Sequence, residues 1–176
     1  MSFPYQLANN KALKDSHLER LISAVTQGCN RSLSRGTKYT YIRDCYIILI
    51  LLHTGLRNAE LRSLRLRDID LRDLTLTVVN GKGGKTREFY ISPDTAHLIK
   101  QYILHKASIL REGVGRDDHL FVSTHYKPYT SNGLWQRVKY WMKQAGLPDH
   151  YTASDRDWET NRWSSRPTPS LRIDAL

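Results

Sequence analysis

Eight consecutive apolar residues, Cys45-Tyr-Ile-Ile-Leu-Ile-Leu-Leu52, are the strongest constraint on what this chain can become. A run that is apolar on every side cannot lie at a surface and has to be surrounded by other elements. Eight residues also suit a central β-strand, so the flank decides. Ile42, Cys45, Tyr46 and Leu49 fall at i, i+3, i+4 and i+7 and carry the pattern helically toward the start of the run. The reading is a buried central helix within Thr37 to His53, stopped at Gly55. A membrane span needs about 20 apolar residues, so no transmembrane helix is expected. The first residues lack the charged-then-apolar pattern of a secretory signal, and the expected compartment is the cytoplasm.

The rest of the chain supplies elements to surround that helix. Leu18, Leu21, Ile22 and Val25 recur at helical spacing after Asp15-Ser16, which can cap a first amphipathic helix. Gly28 to Gly36 reads as a polar loop, and Asn58 to Leu64 as a short helix. Leu74, Leu76 and Val78 alternate with Thr75, Thr77 and Val79, the period of a strand. Asn80-Gly-Lys-Gly-Gly-Lys85 can take positive φ and turns that strand into a second β-rich run, Thr86 to Ile91. A helix after Pro93 carries Ile99, Tyr102, Ile103, Ala107 and Leu110 on one face, and a short strand is expected over His119 to Ser123. Ser131 or Asn132 then caps a helix bearing Leu134, Val138, Trp141, Met142 and Ala145. The fold class is α+β, mainly α, with helices gathered around a small antiparallel β-sheet.

Charge points to a partner. The 176 residues hold 27 Lys+Arg against 17 Asp+Glu, a formal charge of +10. The excess is uneven, with 8 basic and 4 acidic residues between Arg57 and Arg87, and Arg137, Lys139 and Lys143 with no acid between Leu134 and Lys143. A polyanion is the natural ligand of such a chain. Cys29 and Cys45 belong to no metal-type spacing and read as reduced structural thiols. The seven histidines form no HExxH, so neither a metal site nor a cofactor is expected.

Two motifs carry chemistry. Thr54-Gly-Leu-Arg57 puts a guanidinium at the exit of the buried helix, where it could grip a phosphate through two nitrogens. Gly81-Lys82-Gly83-Gly84-Lys85 lifts two lysines onto a hairpin tip, with Arg87 in the returning strand. Either feature alone is more simply an ordinary surface arginine or a solvated turn. Gly84-Lys85-Thr86 also imitates the end of a nucleotide-binding P-loop, but Val79 stands where that motif needs glycine and a strand follows, so ATP binding is rejected.

In order, these pieces resemble the catalytic domain of the tyrosine recombinase, or phage integrase, family. The resemblance runs from about Asp15 to Pro148. Its most specific part is Thr54-Gly-Leu-Arg-Asn-Ala-Glu-Leu-Arg-Ser-Leu64, then Asp68-Ile69-Asp70, the strand, and Gly81-Lys-Gly-Gly-Lys-Thr-Arg87. Leu120 to Ser123 resembles the family's later short strand, and Trp135 to Gly146 the helix before the second half of its active site. The resemblance implies an integrase-like DNA breaking-rejoining fold and metal-free strand exchange, in which a tyrosine attacks a phosphate of double-stranded DNA and frees a 5′-hydroxyl. On that pattern Arg57 holds the non-bridging oxygens and Lys82 gives a proton to the leaving oxygen. Glu60 orients neighbouring cations. Lys85, Arg87, Arg137 and Lys139 are candidate DNA contacts, and other recombinase chains are further candidate partners. No membrane and no small-molecule substrate is implied.

The sequence departs from the family after Gly146. The family places His-x-x-Arg there and the nucleophilic tyrosine well downstream. Counting from His150 the arginine position is Ala153, and counting from Ser154 it is Asp157, one step past Arg156. Thr168-Pro-Ser-Leu-Arg172 echoes the motif without its histidine, and no tyrosine follows Tyr151. The expected organisation is an N-terminal segment over 1–13, a partial catalytic domain over 14–148 and a divergent, poorly ordered tail over 149–176, from a frameshift or early stop. Loss of the later helices is expected to expose apolar surface around Ile47 to Leu52. The second arginine, the histidine and the nucleophile are missing, so the isolated chain is expected to be inactive. The alternative is a non-catalytic basic DNA-binding module that competes with an intact recombinase, and a basic RNA-binding protein is the third reading.

Overall fold

The computed structural model describes residues 15–31, 34–79, 84–110, 114–123 and 125–148. The segment 1–13, the tail 149–176 and Lys82 lie outside them. Five helices, a 3-10 turn at Leu66–Asp68 and three short strands are described: α1 (Asp15–Cys29), α2 (Arg35–Thr54), α3 (Asn58–Ser63), β1 (Ile69–Asp70), β2 (Thr75–Val78), β3 (Arg87–Tyr90), α4 (Pro93–Leu110) and α5 (Ser131–Gln144).

The apolar run is helical, and it sits at the centre. Every residue from Ile42 to His53 in α2 is buried. Ile47 to Leu52, expected to lie bare, are covered, because α1, α4 and α5 all pack against α2. Gly55 ends the helix in the left-handed region at φ 61°, where glycine has no Cβ to clash, and its N–H reaches the Leu51 carbonyl at 2.9 Å. Among the described residues no helix is long and apolar enough to cross a membrane.

Around α2 the expected faces turn inward. Leu18, Leu21, Ile22 and Val25 of α1 are buried, as are Ile99 and Tyr102 of α4 and Leu134, Val138, Trp141 and Met142 of α5. The boundaries differ where local hydrogen bonds decide them. Asp15 and Ser16 lie inside α1 rather than before it, and α1 continues through Cys29 into the expected loop. Thr130 caps α5 in place of Ser131 or Asn132, because its hydroxyl oxygen accepts the Gly133 N–H at 3.0 Å.

The sheet has one strand more than the alternation revealed. β1 pairs with β2 (Ile69↔Leu76) and β2 with β3 (Leu76↔Phe89, Val78↔Arg87), all antiparallel. Two residues carry too little pattern to show a period, which is why β1 is silent in sequence. The strand expected over His119 to Ser123 is reduced to isolated bridges, Arg65↔His119 and Val122↔Pro128. Lys106 fixes that segment from α4, its buried ammonium donating to the His119 carbonyl at 2.5 Å.

A buried polar knot joins α2 to α5. The Asp44 carboxylate, 1% exposed, accepts from Arg137 Nε at 2.8 Å and Trp141 Nε1 at 3.0 Å, while its other oxygen faces Arg43 at 3.4 Å. Arg43 also donates to the Val122 carbonyl at 3.1 Å and lies between the rings of Tyr39 and Tyr129. Trp141, held by Asp44, reaches across to α1, where a Cβ built on Gly28 would stand 2.1 Å from its ring. Alanine at position 28 gains about 1 kcal/mol of helix propensity but overpacks against a pinned indole, a clash of about 1–3 kcal/mol. Gly28→Ala is therefore expected to lose about 1 kcal/mol net in urea unfolding, and less in a Trp141→Phe background, where the ring is shorter.

Burial also sets a pH dependence. It lowers the pKa of His53 and His105 from 6.5; at His53 the Asp94 carboxylate opposes the shift, and at His105 the Lys38 charge adds to it. The unfolded chain takes up these protons first, so the stability they confer is complete above pH 6.5 and is lost as pH falls from there through the folded values. Thermal melts from about pH 7.5 down to about pH 5.5 are expected to show a falling Tm, and His53→Gln with His105→Gln to flatten the slope.

Candidate active site

The site begins at the turn that closes α2. Thr54 Oγ1 donates to the Ile50 carbonyl at 2.6 Å and accepts the Leu56 N–H at 3.3 Å. Leu56, fully buried, anchors the chain beyond Gly55. Arg57 follows in an extended conformation (φ −68°, ψ 152°) as the N-cap of α3. An apolar anchor between a left-handed glycine and a new helix leaves the arginine one defined exit.

Glu60 fixes that exit. One turn into α3, its carboxylate accepts the Arg57 backbone N–H through Oε2 at 2.9 Å and the Arg57 Nη1–H through Oε1 at 3.1 Å. Arg87 Nη2 reaches the same Oε2 at 2.9 Å. The acid is 4% exposed at its side chain, while Arg57 and Arg87 are 36% and 49% exposed. A buried carboxylate thus holds two half-exposed guanidiniums side by side. Bonds to an ionised group are short and directional, so the two planes are held rather than swinging free. The hairpin delivers Arg87: it is the first residue of β3, opposite Val78, and its guanidinium also lies over the Phe89 ring.

Three more hydrogen bonds brace the site. Arg62 donates to Asn58 Oδ1 at 3.0 Å and to the Tyr129 carbonyl at 3.1 Å, and Asn58 Nδ2 reaches the Ser131 carbonyl at 3.4 Å. These stitch α3 to the start of α5.

The remaining sequence candidates are distributed differently. Lys82 lies outside the described residues, and Lys85 is exposed. Lys139 is half-buried on α5. Arg137 is paired with Asp44 in the polar knot, with its side chain partly exposed. Desolvation works against its charge, and the hydrogen bonds and proximity of Asp44 outweigh that and keep its pKa above the ordinary value. Helical spacing gave Arg137 a basic neighbourhood but could not show the acid 93 residues away. A signal for the knot did exist, because Arg43-Asp44 interrupts an otherwise apolar helix and buried charges are paired. No group of three or more His, Cys, Asp or Glu able to hold a metal ion occurs among the described residues.

The phage integrase family model matches residues 11–155. Tyrosine recombinase XerA of Pyrococcus furiosus is 35% identical over 109 residues, 60% of this chain and 36% of its own length. Tyrosine recombinase XerD of Oceanobacillus iheyensis is 29% identical over 134 residues, 76% of this chain and 44% of its own. The chain therefore spans less than half the length of these relatives. Among solved structures, a XerA recombinase superposes with a TM-score of 0.64 at 23% identity, over 83% of this chain and 47% of that one. The XerH site-specific recombinase bound to palindromic difH substrate, a post-cleavage complex, gives 0.62 at 21% identity, over 85% and 40%. At those identities the superpositions establish the fold, and the match over most of the sequence establishes the lineage: this chain belongs to the phage integrase family.

Proposed function

We propose that this chain is a DNA-binding, integrase-type recombinase domain that grips a phosphodiester of duplex DNA with Arg57 and contributes that grip to site-specific strand exchange. The observation that carries this reading is the shared Glu60 carboxylate. It orients the Arg57 guanidinium and leaves it half-exposed beside a second cation, a geometry suited to two non-bridging phosphate oxygens. As negative charge grows on those oxygens in a pentacoordinate transition state, a donor already in place stabilises it without reorganising. Lys82, five residues before Arg87 in the sequence, would protonate the leaving 5′-oxygen. Lys85 and the open side of Arg87 would contact neighbouring phosphates, and Lys139 a further part of the backbone.

Glu60 is a positioning residue in this scheme, since it acts through the arginines. The second reading is a module that occupies recombination sites through its basic surface and competes with an intact recombinase. Adding the chain to a strand-transfer reaction run by a full-length relative separates the two: stimulation indicates a contributing partner, and inhibition a competitor.

Binding to duplex DNA is expected to weaken steeply with salt, with a log-log slope of about −0.9 per phosphate neutralised. Arg57→Ala should reduce the slope by about one such unit and lower affinity roughly 10-fold. A flat salt response would remove the DNA reading, and a covalent adduct on a nicked duplex would overturn the expected inactivity. Glu60→Ala is expected to cost about 2–3 kcal/mol in chemical unfolding, less than the 3–5 of a fully buried pair because both arginines keep access to water. It should also weaken DNA binding as much as Arg57→Ala does, whereas Glu60→Gln, which keeps an acceptor oxygen, should recover part of both losses.

A further inference from the structure

Cys29 and Cys45 are both buried and both free thiols, and the DNA-binding reading uses neither. Cys29 is the last residue of α1, and its Sγ lies 3.4 Å from the Tyr41 carbonyl oxygen of α2. In an α-helix that carbonyl takes the N–H of the residue four positions on, which here is Cys45. Helical side chains lean toward the N-terminus, so the Cys45 side chain rests on the turn that contains Tyr41. The Cys29 sulfur therefore lies against the turn of α2 that leads into Cys45, between two helices packed on each other. The Cys45 thiol registers this closeness: first a hydrogen bond with the Cys29 thiol, then burial, raises its pKa well above the ordinary value.

We propose that Cys29 and Cys45 are a modification site, a dithiol that a small-molecule disulfide converts into an intramolecular bridge between α1 and α2. The two positions differ in access. Cys29 ends a helix, where local fraying opens the last turn at low cost, whereas Cys45 sits in the middle of the most enclosed helix of the fold. Cys29 is accordingly the entry point. Its thiolate attacks one sulfur of R–S–S–R, forming a mixed disulfide and releasing RS⁻, which takes up the proton that Cys29 lost. The Cys45 sulfur, giving up its proton, then attacks the Cys29 sulfur and displaces a second RS⁻, which that proton converts to thiol. The two protein thiols are oxidised to one disulfide and R–S–S–R is reduced to two RSH. No metal is needed, and the proposal is independent of the DNA-binding reading.

A bridge here would act on the packing beside it. Cys29 follows Gly28, against which the Trp141 ring is seated, and Cys45 follows Asp44, which holds that ring through its Nε1. Closing the bond would fix the end of α1 onto the same turn of α2 that anchors α5, leaving the Glu60 site untouched.

The test is to incubate the full chain with oxidised glutathione at neutral pH and to follow intact mass, alkylation of free thiols after denaturation, and a peptide map. The expected product has lost two hydrogens and no longer alkylates. It contains a peptide linking Cys29 to Cys45, melts roughly 5–10 °C higher, and returns to the starting form with a reductant. Cys45→Ser should stop at a glutathione adduct on Cys29. Thiols that stay alkylatable, a wild-type product that stops at the adduct, or bridges only between two molecules would each overturn the proposal. Because the mass readout is made on the wild-type chain, it stands even where a serine variant folds poorly.

Discussion

A helix without a polar face needs neighbours on every side, and α2 obtains them from three other helices. That single requirement explains why the described fold is mainly helical and why the sheet is small and set to one side. It also creates a problem. Arg43 and Asp44 lie inside this enclosed helix, and an isolated charge there would cost several kcal/mol. The solution is shared neutralisation, in which Asp44 takes Arg43 from its own helix and Arg137 and Trp141 from α5. The acid thereby becomes the joint that sets α5 against α2.

Glu60 works by the same rule at the other end of α2, with the opposite exposure. Asp44 and Arg43 are withdrawn from water and Arg137 is partly so, at 28% exposed, and their charges serve packing. Glu60 is withdrawn too, but Arg57 and Arg87 keep a third to a half of their side chains in solvent. The difference is one of place: Arg137 projects from a helix packed against the core, whereas Arg57 leaves a turn and Arg87 opens a strand at the edge of the fold. Burying the acid and exposing the cations converts an ion pair into an oriented donor surface.

The sequence made this arrangement legible in proportion to how local it is. The apolar run, its extension by Ile42 and Cys45, and the stop at Gly55 are near-neighbour patterns, and helix α2 follows them. The Thr54 to Leu64 segment likewise carries Arg57 and Glu60 within one turn of each other, so their pairing needed no tertiary knowledge. Arg87 needed more, because only the register of the hairpin brings it to Glu60, and the turn residues 80–85 indicated a hairpin without its register. Arg137 marks the limit. Its neighbours in sequence are basic and its neighbour in space is Asp44, and no periodicity in α5 encodes that. β1 and the His119 bridges were obscure for a related reason, since elements of one or two residues are defined by their partners rather than by a pattern of their own.

The geometry also bears on what would happen when an anion arrives. A phosphate approaching Arg57 meets a guanidinium already bonded to a carboxylate, and the two anions could be thought to compete. Competition is disfavoured by position: Glu60 binds from the protein side, through a carboxylate also held by the Arg57 backbone N–H, so it cannot follow the side chain outward. In the proposed scheme the carboxylate would serve as a backstop, limiting the rotamers of Arg57 before an anion binds, so that less ordering would remain to be done on contact. An arginine held only by water at the same exit would present the same charge in many directions, and the turn, the buried leucine and the acid together reduce these to one.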